Sequence, residues 1–182
     1  MGTPNQIKFL EKAYQGKPKR VLEVGSKDYG NTQDFRLWDA EHIGVDIQNG
    51  KNVDLVLDLS STVGPLESNS FDLVICCSVL EHCQNPWAMA GNITQLLKPG
   101  GHAYIAVPWI HRYHAYPEDY WRFSWAGVRV LFPCLHFDRF VVSTNKAGEF
   151  YVGKDGVDDA LHQMIDGRKY LHYVEVHGLG QK

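Results

Sequence analysis

The chain has 182 residues, a formal net charge of −3, and 44% hydrophobic against 21% charged residues. That length suits one domain, 1–182, able to bury roughly 70% of its unfolded surface without covalent staples. Mild acidity excludes a nucleic-acid surface spread over the whole domain. Without a signal-like leader or an apolar run of about 18 residues, no membrane partner is expected. Cys76, Cys77, Cys83 and Cys134 form no CxxC pair, so neither a disulfide framework nor a structural zinc site is expected, and the compartment expected is the cytoplasm.

Asn5 to Tyr14 has apolar residues at helical spacing and ends at Gly16-Lys17-Pro18. Arg20–Gly25 reads as a strand, Asn31–Trp38 as a short helix, His42–Asp46 and Val53–Asp58 as further strands. Phe71–Cys77, "FDLVICC", is apolar nearly throughout, as a parallel strand covered on both faces must be. Pro86–Leu97 reads as a helix opened by proline, Lys98–Gly101 as a hard stop and turn, and His102–Pro108 as the fifth strand. Beyond it, "WIHRYHAYPEDYWRFSW" (Trp109–Trp125) has no clean period. Trp125–Phe132 follows as a helix, then Phe137–Ser143 and Lys169–Val176 as a final pair of strands. Strand–helix alternation over the first 108 residues predicts an α/β fold. The expected architecture is Rossmann-like and doubly wound, a mostly parallel seven-stranded sheet flanked by helices, with residues 109–135 inserted as a lid.

"VLEVGSKDYGNT" (Val21–Thr32) is the first strand and its loop, at the sheet edge where ligands bind in this architecture. Gly25 and Gly30 have the spacing of a phosphate loop, but Asn31 stands where that loop needs lysine. A dinucleotide loop fails too, because Lys27 replaces the glycine that lets backbone approach a pyrophosphate, and Glu23 adds like charge. S-adenosylmethionine joins adenosine to a cationic amino acid through a sulfonium, so its site wants acids. Glu23, Asp46 and Asp58 close three successive strands, and Asp46 lies 21 residues after Gly25, a spacing suited to a carboxylate accepting ribose hydroxyls. Taken singly, each acid is also an ordinary solvated loop residue.

The motifs "LEVG" (Leu22–Gly25), "GVDI" (Gly44–Ile47), "FDLVI" with "VLEH" (Phe71–Ile75, Val79–His82) and "LLKPGG" (Leu96–Gly101) occur in an order that resembles the class I S-adenosylmethionine-dependent methyltransferases over about half of the chain. Lys27 and Tyr29 depart from the glycines usual in that family's loop. The resemblance implies S-adenosylmethionine as cofactor, with S-adenosylhomocysteine as product. It places Glu23, Gly25 and Ser26 at the methionine end, Asp46 on the ribose, Ile47 against adenine, Asp58 and Leu59 at the adenine edge, and Cys77 and Ser78 on the floor near the sulfonium.

Methyl transfer to a hydroxyl is helped by a base, and His82 and His114 are the candidates. Glu81 with His82 is also a donor pair for a divalent metal, but no third ligand is legible, and no metal is expected. The second site is the aromatic segment, with His111, Tyr116, Asp119, Tyr120, Trp121 and Arg122 as acceptor-binding candidates. It resembles the H-x-Y-P-x-D-Y-W-R-F segment of methyltransferases associated with surface glycans. The bland alternative is a packed lid in which Asp119 and Arg122 pair with each other. The expected activity is O-methylation of a small-molecule or carbohydrate-like acceptor. A non-catalytic binding scaffold and an NAD(P)-dependent reductase are the rivals.

Overall fold

The computed structural model describes residues 3–30, 34–151 and 173–182. Helix α1 (Pro4–Ala13) starts at a reciprocal cap: Gln6 N–H donates to Thr3 Oγ1, and Thr3 N–H donates to Gln6 Oε1. Strands β1 (Arg20–Val24), β2 (Glu41–Asp46), β3 (Leu55–Val56), β4 (Phe71–Cys77) and β5 (Leu97–Ile110) pair in parallel. A single 3-10 turn, Leu80–His82, follows β4, and helix α2 (Pro86–Leu96) follows that turn, capped by the Asn85 side chain. After a segment without regular structure come α3 (Trp125–Leu131), β6 (His136–Ser143), β7 (Phe150–Tyr151) and β8 (Val174–Gln181). The sheet order is β3-β2-β1-β4-β5-β8-β6-β7, with β8 antiparallel to both neighbours. This is the expected Rossmann-like α/β sheet. Among the described residues it has eight strands rather than seven, the added one being the two-residue edge strand β7.

The run "FDLVICC" is apolar because both of its faces are covered. Val74 and Cys76 join the core beneath α2 and α3, while Leu73, Ile75 and Cys77 join the core beneath α1. Each of these side chains is at most 2% exposed. Burying one such aliphatic side chain stabilises the fold by about 1.5–3 kcal/mol. No helix among the described residues is long and apolar enough to cross a membrane.

Four local expectations change. Over residues 34–38 there is no helix, and 31–33 lie outside the described residues. The Asp34 side chain accepts from Arg36 N–H, which competes with a helical turn, while Phe35 and Trp38 reach down onto Tyr104 and Tyr14. The third strand shrinks to Leu55–Val56, because Asp54 turns its carboxylate onto Gly44 N–H and Asp58 turns its own onto Ser60 and Ser61. The stop at Lys98–Gly101 is not a separate turn: α2 passes directly into β5, and the irregularity appears as a register shift against β4, with Gly100 at φ +79° donating to Lys182 O. The final strand is Val174–Gln181, and 169–172 lie outside the described residues.

Candidate active site

Chain order along the sheet reverses between β1 and β4, and the crevice at their carboxyl ends is where this architecture binds ligands. A cavity of about 380 Å³ opens there, lined by the ends of β1, β2 and β4, the β3–α2 connections, and the lid residues Tyr116, Pro117 and Tyr120.

Gly25 makes the turn out of β1 at φ +72°, and both its N–H and that of Ser26 donate to Val45 O. A Cβ on Gly25 would lie 2.3 Å from Val79 Cγ2, so only glycine lets the turn sit this close to the 3-10 segment. Asp46, 8% exposed, accepts from Gln48 N–H at 2.9 Å and from Lys27 N–H at 3.3 Å, which aims the carboxylate along the cavity wall. Asp58 accepts from the Ser60 backbone and from the Ser60 and Ser61 hydroxyls. Burial alone would raise its pKa, but these hydrogen bonds together outweigh burial and hold it below the usual carboxylate value. Lys27 turns its ammonium to Gln48 Oε1 at 2.7 Å, and among the described residues no Lys or Arg lines the cavity.

Ser78 forms the floor at φ +53°. It is held from below: its hydroxyl accepts from Gln6 Nε2 at 3.0 Å and donates to Glu175 Oε1 at 3.4 Å. Gln6 also donates to Glu175, so α1 and β8 jointly fix the floor. Burial pushes Glu175 up to about 7 and His177 down to about 3. Both are therefore largely neutral just below neutrality, with His177 bonded to the Tyr104 and Ser143 hydroxyls.

The lid closes over the 3-10 turn through its backbone. Tyr120 and Trp121 N–H donate to Glu81 O, Trp121 Nε1–H donates to Cys83 O, and His82 Nδ1–H donates to Glu118 O at 2.6 Å. Asp119, with its side chain 1% exposed, takes two bonds from Arg122 and one from His114 N–H. The Arg122 guanidinium above all holds Asp119 far below the usual carboxylate range.

Gly25, Asp46, Ile47, Asp58, Leu59, Ser78, His82, Tyr116 and Tyr120 all line the cavity. The others lie elsewhere. Glu23 faces the α1 side of β1 and accepts from His42 Nε2 at 3.0 Å. Ser26 is wedged against Gly44. Cys77 is in the α1 core, where burial raises its thiol pKa well above normal. Trp121 packs edge-on to Trp87, Asp119 and Arg122 bind each other, and His111 and His114 lie tilted against each other behind Tyr116, their Nδ1 atoms 3.2 Å apart. Sequence reasoning missed Tyr29, Gln48, Ser60, Ser61, Gln84, Asn85 and Met89 on the cavity wall. Tyr29 stood out only as a departure from glycine, yet its ring meets Tyr116 edge-on at 5.8 Å and joins the loop to the lid. Gln84 and Asn85 were legible as the residues between "VLEH" and the α2 proline.

Glu81 is fully buried. Burial pushes its pKa up to about 8, against the pull of its own backbone N–H, and neither oxygen has another hydrogen-bond partner among the described residues. His82 Nε2 is likewise buried and unpartnered. Burial lowers the pKa of both His82 and His114, so both rings are neutral at pH 7. One ligand atom from each of Glu81, His82 and His114 falls within 4.8 Å of the others.

A family model described as a methyltransferase domain matches residues 22–105. This segment is similar to the methyltransferase-domain family over somewhat less than half of the chain. It contains every strand whose carboxyl end builds the cavity. The ubiquinone biosynthesis O-methyltransferase of Ralstonia nicotianae is 33% identical over 122 residues, which is 60% of this chain and 50% of that protein. The chain spans about half the length of the curated relatives it matches. Among solved structures, a S-adenosylmethionine-dependent methyltransferase from Archaeoglobus fulgidus superposes with a TM-score of 0.66 at 16% identity, covering 97% of this chain and 92% of that one. The Burkholderia thailandensis 1,6-didemethyltoxoflavin N1-methyltransferase, solved with its acceptor and S-adenosylhomocysteine, gives 0.65 at 17% identity over 98% and 76%. At these identities the structures share the methyltransferase domain's fold.

Proposed function

We propose that the cavity binds S-adenosylmethionine and that the protein transfers its methyl group to an oxygen of a small or carbohydrate-like acceptor held beneath the lid. One observation carries the reading: Asp46 and Asp58 stand on the cavity wall and, among the described residues, no Lys or Arg does. A pyrophosphate entering that wall meets two carboxylates, with the nearby Lys27 ammonium engaged by Gln48, whereas an adenosine bearing a sulfonium and an ammonium meets acceptors for its hydroxyls and a favourable field. The same observation disfavours the reductase reading.

The sulfonium is already an activated leaving group, so the chain's task is alignment and exclusion of water. Ser78 and Gly25 shape the floor, Asp46 takes the ribose hydroxyls, and Asp58, Ile47 and Leu59 form the adenine end. Tyr116 and Tyr120 roof the cavity with flat faces suited to a sugar or ring. Of the two histidines His82 is the better-placed base, because its ring lines the cavity with Nδ1–H given to Glu118 O, and its buried Nε2 would have to be uncovered to accept a proton. His114 lies behind it, ring centroids 4.8 Å apart. The relatives named as O-methyltransferases support oxygen as the acceptor atom.

Calorimetry with S-adenosylmethionine, S-adenosylhomocysteine and NADH tests the cofactor assignment, and tritiated methyl transfer to a panel of glycans and hydroxylated aromatics tests the reaction. Binding of the first two ligands at one site per chain, with label in an alkali-stable ether, is expected. Preference for NADH overturns the reading, and binding of none of the three supports a scaffold.

A further inference from the structure

We propose that Glu175, buried beneath the cavity floor, is the counter-charge that distinguishes the cationic cofactor from its neutral-sulfur product. The proposal rests on the cofactor reading above and goes beyond it, because Glu175 lies outside the cavity and acts through the floor rather than by contact.

The Glu175 side chain is 1% exposed and sits one layer below Ser78. Gln6 Nε2 donates both to Ser78 Oγ at 3.0 Å and to Glu175 Oε1, and the Ser78 hydroxyl donates to the same oxygen at 3.4 Å. The carboxylate is thereby drawn up against the underside of the floor. Its other oxygen, Oε2, has no hydrogen-bond partner among the described residues.

A buried carboxylate usually keeps its charge by pairing with a cation. Among the described residues no Lys or Arg bonds to Glu175. The titratable groups that face it are the Cys77 thiol on β4, the Tyr104 hydroxyl on β5, the Tyr173 hydroxyl just before β8, His177 on β8 and Glu81 on the 3-10 turn. His177 Nε2 lies 3.4 Å from Oε2. Burial keeps the thiol, both phenols and the imidazole uncharged at pH 7, and leaves Glu81 mostly protonated. Burial also pushes Glu175 up to about 7, against the hydrogen bonds from Gln6, Tyr173 and Ser78. It can therefore change charge near neutrality in answer to a cation placed over the floor.

Under the cofactor reading that cation is the sulfonium. Set against Ser78, it lies roughly 7 Å from the carboxylate, and at an effective dielectric of about 20 the attraction favours the ionised form about ten- to fifty-fold. S-adenosylhomocysteine carries the same adenosine, ammonium and carboxylate but a neutral thioether. The two ligands differ at the sulfur alone, so comparing them reads the charge beneath the floor. Linkage sets the sign: a ligand that favours ionised Glu175 expels its proton on binding, and binds more tightly as pH rises through 7. When the methyl moves to the acceptor oxygen, the S–C bond breaks, the C–O bond forms and the hydroxyl proton departs. The sulfur is then neutral, Glu175 takes a proton back from solvent, and the product leaves more readily.

The test is calorimetric titration of the full chain with S-adenosylmethionine and with S-adenosylhomocysteine at pH 6.5, in buffers of different ionisation enthalpy, which counts the protons exchanged. Release of about half a proton or more is expected for S-adenosylmethionine, and less than about a fifth of that for S-adenosylhomocysteine. The ratio of the two affinities should rise at least about five-fold from pH 5.5 to 8 in the parent and stay flat in Glu175→Gln, which keeps the shape and removes the titration. The parent's proton count needs no variant, so it decides alone if Glu175→Gln does not fold. Equal release for both ligands overturns the proposal, as does release that persists in folded Glu175→Gln and so comes from Glu81 or a histidine. A Glu175→Gln protein that weakens both ligands equally and keeps the parent's pH trend shows a structural role and also overturns it. Binding of both ligands without proton release sinks this proposal alone, whereas binding of neither sinks the cofactor reading and this proposal with it.

Discussion

The two walls of the cavity are built in different ways. The wall at the ends of β1, β2 and β4 is made by strand termini whose positions follow from sheet pairing, so its groups are set by register: Gly25, Asp46 and Ser78 each sit at or just past the last paired residue. The lid opposite has no strand or helix from 111 to 124. It is held by four hydrogen bonds to the 3-10 turn and the residue after it, and by the Asp119–Arg122 pair. Rigid placement on the first wall suits a constant cofactor. Local ties on the second leave its shape to the identity of a few side chains, as suits an acceptor.

If this contrast is right, damage to the strand wall abolishes cofactor binding and damage to the lid spares it. Gly25→Ala should have the largest effect. The positive φ and the 2.3 Å approach to Val79 together cost about 2–4 kcal/mol, and S-adenosylhomocysteine binding should be lost. Adding Val79→Ala should recover the steric share and leave the backbone share, as urea denaturation would show. Equal stability of Gly25→Ala and the parent breaks the contrast at its strongest point.

Arg122→Leu strips buried Asp119 of its bidentate partner, costing about 2–3 kcal/mol locally. Methyl transfer should fall at least ten-fold while calorimetric S-adenosylhomocysteine affinity changes less than about three-fold. A parallel fall in both would mean the lid is part of the cofactor wall.

Glu175 sharpens the comparison from below, since it steadies the floor through Ser78. An unfolded glutamate titrates near 4.5 and the folded one near 7, so its stabilising proton is fully held below pH 4.5 and lost as pH rises to 7. His177 runs the other way: ordinary near 6.5 and lowered to about 3, its contribution is lost as pH falls from 6.5 towards 3. Between pH 4.5 and 6.5 the two slopes oppose. Glu175→Gln should therefore steepen the rise of stability with pH in that window and exceed the parent at pH 8 by about 1–3 kcal/mol. Unfolding curves at four pH values check this, and a Glu175→Gln profile parallel to the parent's contradicts it. Smallest of all, Tyr29→Leu removes one edge-on ring contact with Tyr116, worth about 0.5–1 kcal/mol. A two- to five-fold rise in acceptor KM is expected, and no rise would detach Tyr29 from the lid.

What could be read from the sequence divides along the same line. The apolar run of β4, the Gly25 turn and the acids Asp46 and Asp58 were legible because period and spacing follow from backbone geometry. Asp54 was not, because a carboxylate that bonds Gly44 N–H and shortens β3 leaves no periodic trace. Glu23 shared the spacing of the other two acids, but strand alternation turns it to the opposite face, onto His42. In the lid, composition announced a polar aromatic segment without saying which groups faced inward: Tyr116 and Tyr120 do, while Asp119 and Arg122 are spent on each other. The convergence of His114 on Glu81 and His82 joins residues 32 positions apart through a loop with no period, so only the folded chain displays it.

The central claim is that an acidic wall selects a cationic adenosine, and the most direct measurement is a calorimetric titration of S-adenosylmethionine into the parent and Asp46→Asn proteins. The account predicts one site per chain in the parent and a 10- to 100-fold weaker one in Asp46→Asn, as expected for losing about 1.5–3 kcal/mol of charge-assisted hydrogen bonding. Equal affinity in the two proteins, or tighter binding of NADH than of S-adenosylmethionine by the parent, would contradict it.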